Sequence, residues 1–490
     1  MKEKPVSRDN SGSKLPPASS REAGAVTAKT NTNPTAVKVA GLPAPRDWTQ
    51  GSITGSLWGL AWPIIISSSL NNLGPVIDAI WVGKLGSAAV AGVGVAGMIV
   101  GVVLSLIMGL FMGLGALVAR AIGANDKETA VKAARQGIMV GIFMSIILAI
   151  IGAFFSRHFL RIFGLAPDVV AAGAAYLSIQ FIGMVTMVFE MLTNSVMQAS
   201  GDTMNPMRIA LVARALAIAL SPCFVFGLGI FPELGVRGPA VASVVSFFLG
   251  GSIGVWLLFS GRTRLKLTLD KLEIDFPLIW RMVKIGLPAA VNFVQMNIVA
   301  VVVMEAIAPF GTVAVAAQTI CSRVEMLFMM PAMGFGQAAS VLTGQNLGAG
   351  KPERAEKGGW IAALLVNAII AVLALVVVIS SPQIMRIFSN DPQVIKIGAT
   401  FLRIAGAGYI VIGGAIVLSS CLNGAGDTLI PMATNMVSMW AIQVPLAFLL
   451  PGVSSIGIYG IRWAGVISIW LRAIAFVVYF RTGRWKRRKV

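Results

Sequence analysis

The second half of this chain repeats the first half at a constant spacing. Pro63 corresponds to Pro288, and the same offset of 225 residues relates Gly86 to Gly311. It also relates three short motifs, which are Arg161-Ile162-Phe163 with Arg386-Ile387-Phe388, Gly201-Asp202-Thr203 with Gly426-Asp427-Thr428, and Pro206-Met207 with Pro431-Met432. No gap is needed between Pro63 and Met207. A long apolar chain with two similar halves is typical of transporters whose substrate path lies between the halves.

The composition indicates that most of the chain lies in lipid. The mean hydropathy is +0.82 and only 12% of residues are charged, whereas soluble domains carry about 25% charged residues. A helix needs about 20 apolar residues to cross a bilayer. Twelve segments meet this requirement: residues 57–81, 90–120, 132–156, 167–198, 205–230, 237–261, 282–306, 315–345, 357–381, 392–423, 430–453 and 458–481. We therefore predict an all-α membrane protein with two parallel six-helix repeats, related by an axis along the membrane normal.

The regions between and around the spans complete the predicted organisation. Residues 1–50 are rich in Pro, Ser, Thr and Ala and hold no apolar run, so we expect a disordered cytoplasmic tail. The two six-helix bundles are expected at 51–261 and 282–481, joined by a cytoplasmic linker at 262–281 and followed by a basic tail at 482–490. Transport by such a chain needs only a monomer, because both halves are present in it.

The basic residues predict the orientation in the membrane. They are concentrated in the loop between the halves, in the C-terminal tail and in alternate short loops, whereas the opposite loops hold few of them. Loops rich in Lys and Arg lie in the cytoplasm. We therefore expect a multi-pass protein of the cytoplasmic membrane with both termini in the cytoplasm. Binding of nucleic acid is a weaker explanation of the net charge of +19.

Asp78 is the first candidate functional residue. It lies late in the first predicted span, where a charge is costly and needs a reason to be present. A carboxyl group in an apolar cavity can load and release a proton, so we interpret Asp78 as the coupling residue and as a contact for a cationic substrate. The alternative is an interfacial carboxylate that pairs with Lys84.

Polar residues also follow one face of the fourth span. Glu190, Asn194 and Gln198 recur every four residues and therefore share a helix face. They predict either a face toward a wet cavity, with Glu190 and Asn194 in cation coupling and Gln198 in substrate binding, or a polar contact between helices. The sequence leaves both open.

Other polar residues in or next to spans have structural explanations. Glu305 ends the seventh span and is either a substrate contact or an interface residue. Arg214 is expected to extend toward the membrane surface. Arg323 and Glu325 are each expected to pair with a neighbouring helix, with a wet cavity or a substrate contact as the alternative. Asp and Thr in the two Gly-Asp-Thr motifs are typical of turns that cap a following helix.

The chain resembles the multidrug and toxic compound extrusion (MATE) family over residues 55 to 480. The resemblance is carried by Leu60-Ala61-Trp62-Pro63 with Asp78 and Gly83 following, Ala121-Ile122-Gly123-Ala124, Ala199-Ser200-Gly201-Asp202-Thr203, Phe231-Pro232-Glu233-Leu234-Gly235-Val236-Arg237-Gly238 and Gly344-Gln345-Asn346-Leu347-Gly348-Ala349-Gly350. It implies twelve helices in two bundles around a V-shaped cavity. It also implies export of organic cations and drugs in exchange for H⁺ or Na⁺.

The resemblance also assigns residues. The Asp of the family's first span falls on Asp78, whereas the Asn and Asp of its fifth span fall on Ala217 and Ser221. An acidic residue found in one branch of the family falls on Gln295 or Met296. Asp78 thus has fewer oxygen ligands than the family pattern provides, which favours H⁺ as the coupling ion, with Na⁺ as the alternative. The expected substrate contacts are Asp78, Gln198, Gln295, Met296 and Glu305.

Competing functions make different demands on the sequence. A flippase for a lipid-linked saccharide or peptidoglycan precursor needs a cationic cavity, for which Arg214, Arg323 and Arg403 are candidates. An intramembrane enzyme needs convergent catalytic groups, and one histidine with scattered carboxylates does not supply them. A receptor gives no reason for Asp78. We therefore expect a transporter rather than an enzyme, with a small organic cation and membrane lipid as partners and no cofactor or metal.

Overall fold

The computed structural model describes residues 47–268, 273–453 and 456–488. Most of the tail predicted to be disordered, residues 1–46, lies outside the described residues, as do 269–272 of the linker and 489–490 of the basic tail. The described end of the N-terminal region, residues 47–50, forms a turn in which Trp48 is buried.

The described residues form helices joined by short turns. The first half contains α1 (Ile53–Gly83), α2 (Ser87–Gly123), α3 (Lys127–Arg161), α4 (Pro167–Ile182), α5 (Met184–Ala199), α6 (Met204–Phe226) and α7 (Gly238–Ser260). The second half contains α8 (Phe276–Ile307), α9 (Thr312–Gly348), α10 (Pro352–Ile379), α11 (Ser381–Phe388), α12 (Pro392–Gly424), α13 (Leu429–Met436), a π-helical stretch (Val437–Gln443), α14 (Val444–Leu449) and α15 (Tyr459–Arg481).

The predicted all-α fold with many membrane spans is confirmed. Eleven of the described helices or helical stretches are long and apolar enough to cross a membrane, and there are twelve if α4 and α5, which are bent by 48° at their junction, are counted as one span. The bend occurs at Gly183, which lies directly against α7, because a Cβ atom there would come within 2.0 Å of Val244 Cγ2. The bend therefore depends on packing with a distant helix.

Local sequence signals set where several helices begin. Asp126 accepts a hydrogen bond from the Thr129 amide at 2.9 Å, and Asp275 accepts one from the Leu278 amide at 2.9 Å. These side chains satisfy backbone donors that have no partner inside the helix. Gly86 and Gly311 occupy equivalent places before α2 and α9 with φ of 109° and 91°, a conformation that glycine adopts without strain.

The two halves contact each other in a reciprocal way. Helix α1 packs on α9, and α8 packs on α2, so the repeat relates one contact to the other. The start of α1 belongs to the apolar core built mainly from α9, α10, α12 and α15. The start of α8 belongs to the apolar core built mainly from α2 to α7. Each half therefore completes the packing of the other.

The ends of α2 and α9 cross at one end of the molecule, which we call the basic end. A Cβ atom at Gly123 would lie 2.0 Å from the Gln345 carbonyl oxygen, and one at Gly348 would lie 2.1 Å from the Arg120 carbonyl oxygen. Arg120 and Gln345 are repeat equivalents, and both bond to the opposite half. Arg120 Nη2 donates to the Ala425 carbonyl at 2.9 Å, and Gln345 Nε2 donates to the Ala199 carbonyl at 2.9 Å. The halves are thus closed on each other at this end.

Candidate functional site

Asp78 lies between three helices of the first half. It is partly buried on α1 and accepts a hydrogen bond from Ser221 Oγ of α6 at 2.9 Å. The hydroxyl of Ser243 on α7 lies close to the same carboxylate. The alternative partner considered from the sequence, Lys84, instead places its Nζ 4.7 Å from the ring centre of Trp81. The Lys84 alternative is therefore wrong.

Glu190 forms an ion pair with Arg214 inside the first half. The Glu190 Oε2 to Arg214 Nη2 distance is 3.7 Å, and the two side chains are only 4% and 7% exposed. The guanidinium of Arg214 also lies 4.5 Å from the ring centre of Phe247. The expectation that Arg214 extends to the membrane surface is therefore wrong, because its charge is matched by a carboxylate on a neighbouring helix.

Arg214 lies between two carboxylates. Its Nη1 would lie 3.5 Å from a Cβ atom at Gly74, one helical turn before Asp78, and it interacts electrostatically with both Glu190 and Asp78. Buried Arg214 Nε and Nη2 and buried Glu190 Oε2 make no hydrogen bond within the described residues. We call Asp78, Glu190, Arg214, Ser221 and Ser243 the acidic cluster, because it holds two carboxyl groups and one guanidinium.

The other residues of the predicted polar stripe extend from this cluster toward the basic end. Asn194 is partly buried one turn after Glu190, and its Oδ1 is buried without a hydrogen-bond partner among the described residues. Gln198 is partly buried one turn further along α5. The pairing of Glu190 with Arg214 favours a contact between helices at that residue, whereas the roles of Asn194 and Gln198 stay predictions.

The substrate contacts expected on the seventh span lie on α8 in the second half. Gln295 is 4% exposed and donates from Nε2 to Asn292 Oδ1 at 3.0 Å. Met296 is partly buried, and Glu305 is exposed near the end of the helix. The polar contacts of Gln295 are made within the second half, whereas the acidic cluster is built from the first half alone. The substrate contacts expected from the sequence therefore lie in both halves.

A second charged pair holds helices together in the second half. Glu325 of α9 pairs with Arg462 of α15, which confirms the expected pairing of Glu325 with a neighbouring helix. Arg462 Nη1 also donates to Gln318 Oε1 at 3.2 Å. Arg323 is exposed. Arg462 was not among the residues predicted from the sequence, although a charge in an apolar run is the signal that could have found it.

The two Gly-Asp-Thr turns share a backbone and differ in their side-chain contacts. Gly201 and Gly426 have φ of 91° and 82°. Asp202 Oδ1 accepts from the Asn205 amide at 3.1 Å, as a helix cap does. Asp427 is 1% exposed and instead accepts from the Tyr479 hydroxyl at 2.6 Å. The expectation of a capping Asp is confirmed for Asp202 and wrong for Asp427.

A helical protein that crosses the membrane many times, repeats itself internally and buries a charged cluster inside one half is a membrane transporter by class. The profile of the MatE family matches residues 63–223 and 288–449, once in each half. The chain therefore belongs to the MatE family, the multidrug efflux transporters that the sequence resembles. The two matched segments start 225 residues apart, in agreement with the internal repeat.

Curated relatives cover nearly the whole chain. The probable multidrug resistance protein NorM of Thermotoga maritima is 27% identical over 88% of this chain and 93% of its own length. The probable multidrug resistance protein YoeA of Bacillus subtilis is 25% identical over 87% of this chain and 93% of its own length. These relatives match across both halves.

Solved structures show the same fold. A MOP superfamily transporter from Pyrococcus furiosus, described as having reverse polarity of its binding pocket, superposes with a TM-score of 0.84 at 23% identity, over 90% of this chain and 98% of that chain. An outward-facing multidrug resistance MATE transporter superposes with a TM-score of 0.83 at 23% identity, over 89% of this chain and 96% of that chain. At this identity the likeness is one of fold.

Proposed function

We propose that this protein is an antiporter that exports amphipathic organic cations in exchange for H⁺, with Asp78 as the coupling carboxylate. The observation that carries the proposal is the position of Asp78, partly buried among α1, α6 and α7 with a serine hydroxyl bonded to it. A carboxylate held inside an apolar half attracts either a proton or a cationic substrate. Family membership supports efflux of small molecules as the activity.

The surroundings of Asp78 favour H⁺ over Na⁺. Na⁺ needs several oxygen ligands, whereas Asp78 is joined by the hydroxyls of Ser221 and Ser243 and by the nearby guanidinium of Arg214. A proton needs only one carboxyl group. Na⁺ remains the competing ion in the experiment below.

Arg214 gives the cluster a way to exchange one cation for another. When Asp78 is ionised, it attracts a cationic substrate, and Arg214 is shared between Asp78 and Glu190. When Asp78 takes up a proton, the substrate loses its counter-charge, and Arg214 is held by Glu190 alone. Proton and substrate then compete for one carboxylate, which is the thermodynamic coupling that antiport requires. No other chain is needed, so a monomer suffices.

The orientation of the protein follows from its charge distribution. We infer that the basic end faces the cytoplasm, because Lys and Arg are concentrated in the loops there. Closure of α2 on α9 at that end corresponds to a state that is shut toward the cytoplasm. Both chain ends then lie in the cytoplasm.

The experiment that tests the proposal is dye efflux from proteoliposomes under an imposed pH gradient or an imposed Na⁺ gradient. We expect efflux of a cationic dye to follow the pH gradient. Efflux should fall at least tenfold in Asp78→Asn, because the variant lacks the carboxylate that couples the proton to export. Asp168→Asn removes an exposed carboxylate at the start of α4 and should transport like the wild type. Efflux that follows Na⁺ alone, or that survives in Asp78→Asn, contradicts the assignment.

The lipid-linked flippase has less support from the side chains. Of the three arginines that would build its cationic cavity, Arg214 is neutralised by Glu190. Arg323 and Arg403 are exposed on α9 and α12.

Among the relatives, the FAD transporter of Shewanella oneidensis is 23% identical over 84% of this chain and 92% of its own length. Its name indicates that substrates in this group extend beyond simple cations.

A further inference from the structure

A second polar cluster lies inside the second half, and its charge is opposite to that of the acidic cluster. Arg472 of α15 is partly buried, and its Nη1 lies 3.5 Å from Asn435 Oδ1 of α13. Asn435 Nδ2 donates to Asn292 Oδ1 of α8 at 2.8 Å, and Gln295 Nε2 donates to the same oxygen at 3.0 Å. We call Arg472, Asn435, Asn292 and Gln295 the basic cluster.

Arg472 has no carboxylate partner within the described ranges 47–268, 273–453 and 456–488. Its contact with Asn435 is long for a hydrogen bond. Its other guanidinium nitrogens donate to none of the described residues, and the side chain is only partly buried. An arginine fork offers five donors that match a carboxylate in geometry. Arg472 therefore has donors available for an anion.

The internal repeat places the Arg472 guanidinium in the second half where the first half has the Glu190 carboxylate. Helices α7 and α15 align on the glycines after their ends, Gly261 and Gly483, which both have positive φ. This offset of 222 residues places Arg472 opposite Gly250, and the Glu190 carboxyl carbon lies 3.1 Å from where a Cβ atom of Gly250 would stand.

The offset of the earlier helices places Glu190 opposite Ala415. In the first half a glycine makes room for a carboxylate, whereas in the second half an arginine stands at the position equivalent to the glycine and an alanine at the position equivalent to the carboxylate. The two halves thus present charges of opposite sign at corresponding places.

The depth of Arg472 argues against a surface role. It lies 13 residues after Tyr459 and nine before Arg481, the two ends of α15, which corresponds to about 20 Å and about 14 Å along the helix. A charge at that depth in a span needs a partner or a wet cavity. The π-helical stretch Val437–Gln443 begins two residues after Asn435, and such stretches are frequent at functional sites.

We propose that the basic cluster is an anion-binding subsite that takes the carboxylate of an amphipathic substrate. This inference rests on the proposed export of small organic molecules and names the group of the substrate that the second half would bind. Gln295, expected from the sequence to contact substrate, belongs to this subsite. Its buried Oε1 has no partner within the described residues.

The test compares two dyes that differ in one charge. A rhodamine with a free carboxylate and the ethyl ester of the same dye are titrated against the purified full-length protein, with binding measured by fluorescence anisotropy. We expect Arg472→Gln to weaken binding of the carboxylate dye about tenfold, since a charge-assisted hydrogen bond is lost, and to change binding of the ester less than twofold. Arg472→Lys should retain part of the preference, because it keeps the charge and loses the fork.

Arg403→Gln is the matched control, because it removes an exposed positive charge from the same half and should alter neither dye. Equal effects of Arg472→Gln on both dyes, or no effect on either, overturn the subsite. Unchanged binding of the ester also shows that the variant is folded. Efflux of the ester reports separately on the proposed function: if the wild type exports no cation while Arg472 still selects the carboxylate, antiport fails and the subsite stands.

Discussion

At the scale of single residues, the buried charges inside the first half need an energetic explanation. Glu190 and Arg214 are each less than a tenth exposed, and they face each other at 3.7 Å. The desolvation of such a pair offsets much of its attraction, so the pair contributes little net stability. Removing one partner is different, because it leaves a buried charge without compensation.

We therefore predict that Glu190→Gln destabilises the protein by about 3 kcal/mol. The double variant Glu190→Leu with Arg214→Met should recover most of this loss, because it replaces the buried pair by apolar side chains. Thermal unfolding of the purified protein measures both. Glu305→Gln, at an exposed carboxylate, should leave the midpoint unchanged. A double variant that is less stable than Glu190→Gln would contradict this explanation of the pair.

The sequence identified part of the acidic cluster. Asp78 and Glu190 stood out because charges are rare in apolar runs, and that rule needs no structure. The contact of Arg214 with Glu190 could not be predicted, since it joins α5 to α6 across helix faces whose relative rotation is set by packing. Arg472, like Asp78, is a charge in an apolar run. Its role, however, depends on which residues lie against it in the fold.

At the scale of the helices, the crossing of α2 and α9 depends on two glycines. A side chain at Gly123 would overlap the Gln345 carbonyl, and one at Gly348 would overlap the Arg120 carbonyl. The helix backbones can therefore approach each other only because both residues lack a Cβ atom. Gly101, on the same helix α2, has open space around it.

This contrast gives a matched pair of variants. We predict that Gly123→Ala disfavours the state closed at the basic end by about 1–3 kcal/mol, since the added methyl group overpacks the crossing. Spin labels at the ends of α2 and α9, measured by pulsed electron paramagnetic resonance, should show a larger population of long distances. Gly101→Ala should give the wild-type distribution. Identical distributions in the two variants would show that the crossing tolerates a side chain.

The spans were more predictable than their interruptions. Helix-length apolar runs predicted twelve spans because lipid demands that each span satisfy its own backbone hydrogen bonds. The bend between α4 and α5 was not predicted, because Gly183 is placed by its contact with Val244 of α7. No sequence pattern predicted the π-helical stretch after α13. The equivalent helix of the first half, α6, is α-helical throughout.

At the scale of the whole molecule, two segments that flank the spans, residues 47–50 and 484–488, link the two halves at the basic end. Trp48 Nε1 donates to the Gly201 carbonyl of the first half at 2.9 Å, while Lys351 Nζ of the second half donates to the Thr49 carbonyl at 3.1 Å. In the second segment, the Arg488 carbonyl accepts a hydrogen bond from Arg120 Nη1 of the first half at 2.8 Å. Hydrogen bonds to residues outside the spans thus stabilise the closed state.

These bridges predict that Trp48 stabilises the closed state at a distance. We expect Trp48→Ala to speed amide hydrogen exchange several-fold at residues 120–123 and 345–348, because loss of a buried tryptophan weakens the link between the halves by a few kcal/mol. Trp280→Ala removes an exposed tryptophan at the start of α8 and is the control. Faster exchange confined to residues 47–50 would mean that the N-terminal turn only covers the surface. Faster exchange at both helix ends together would mean that the two halves open as units, as alternating access requires.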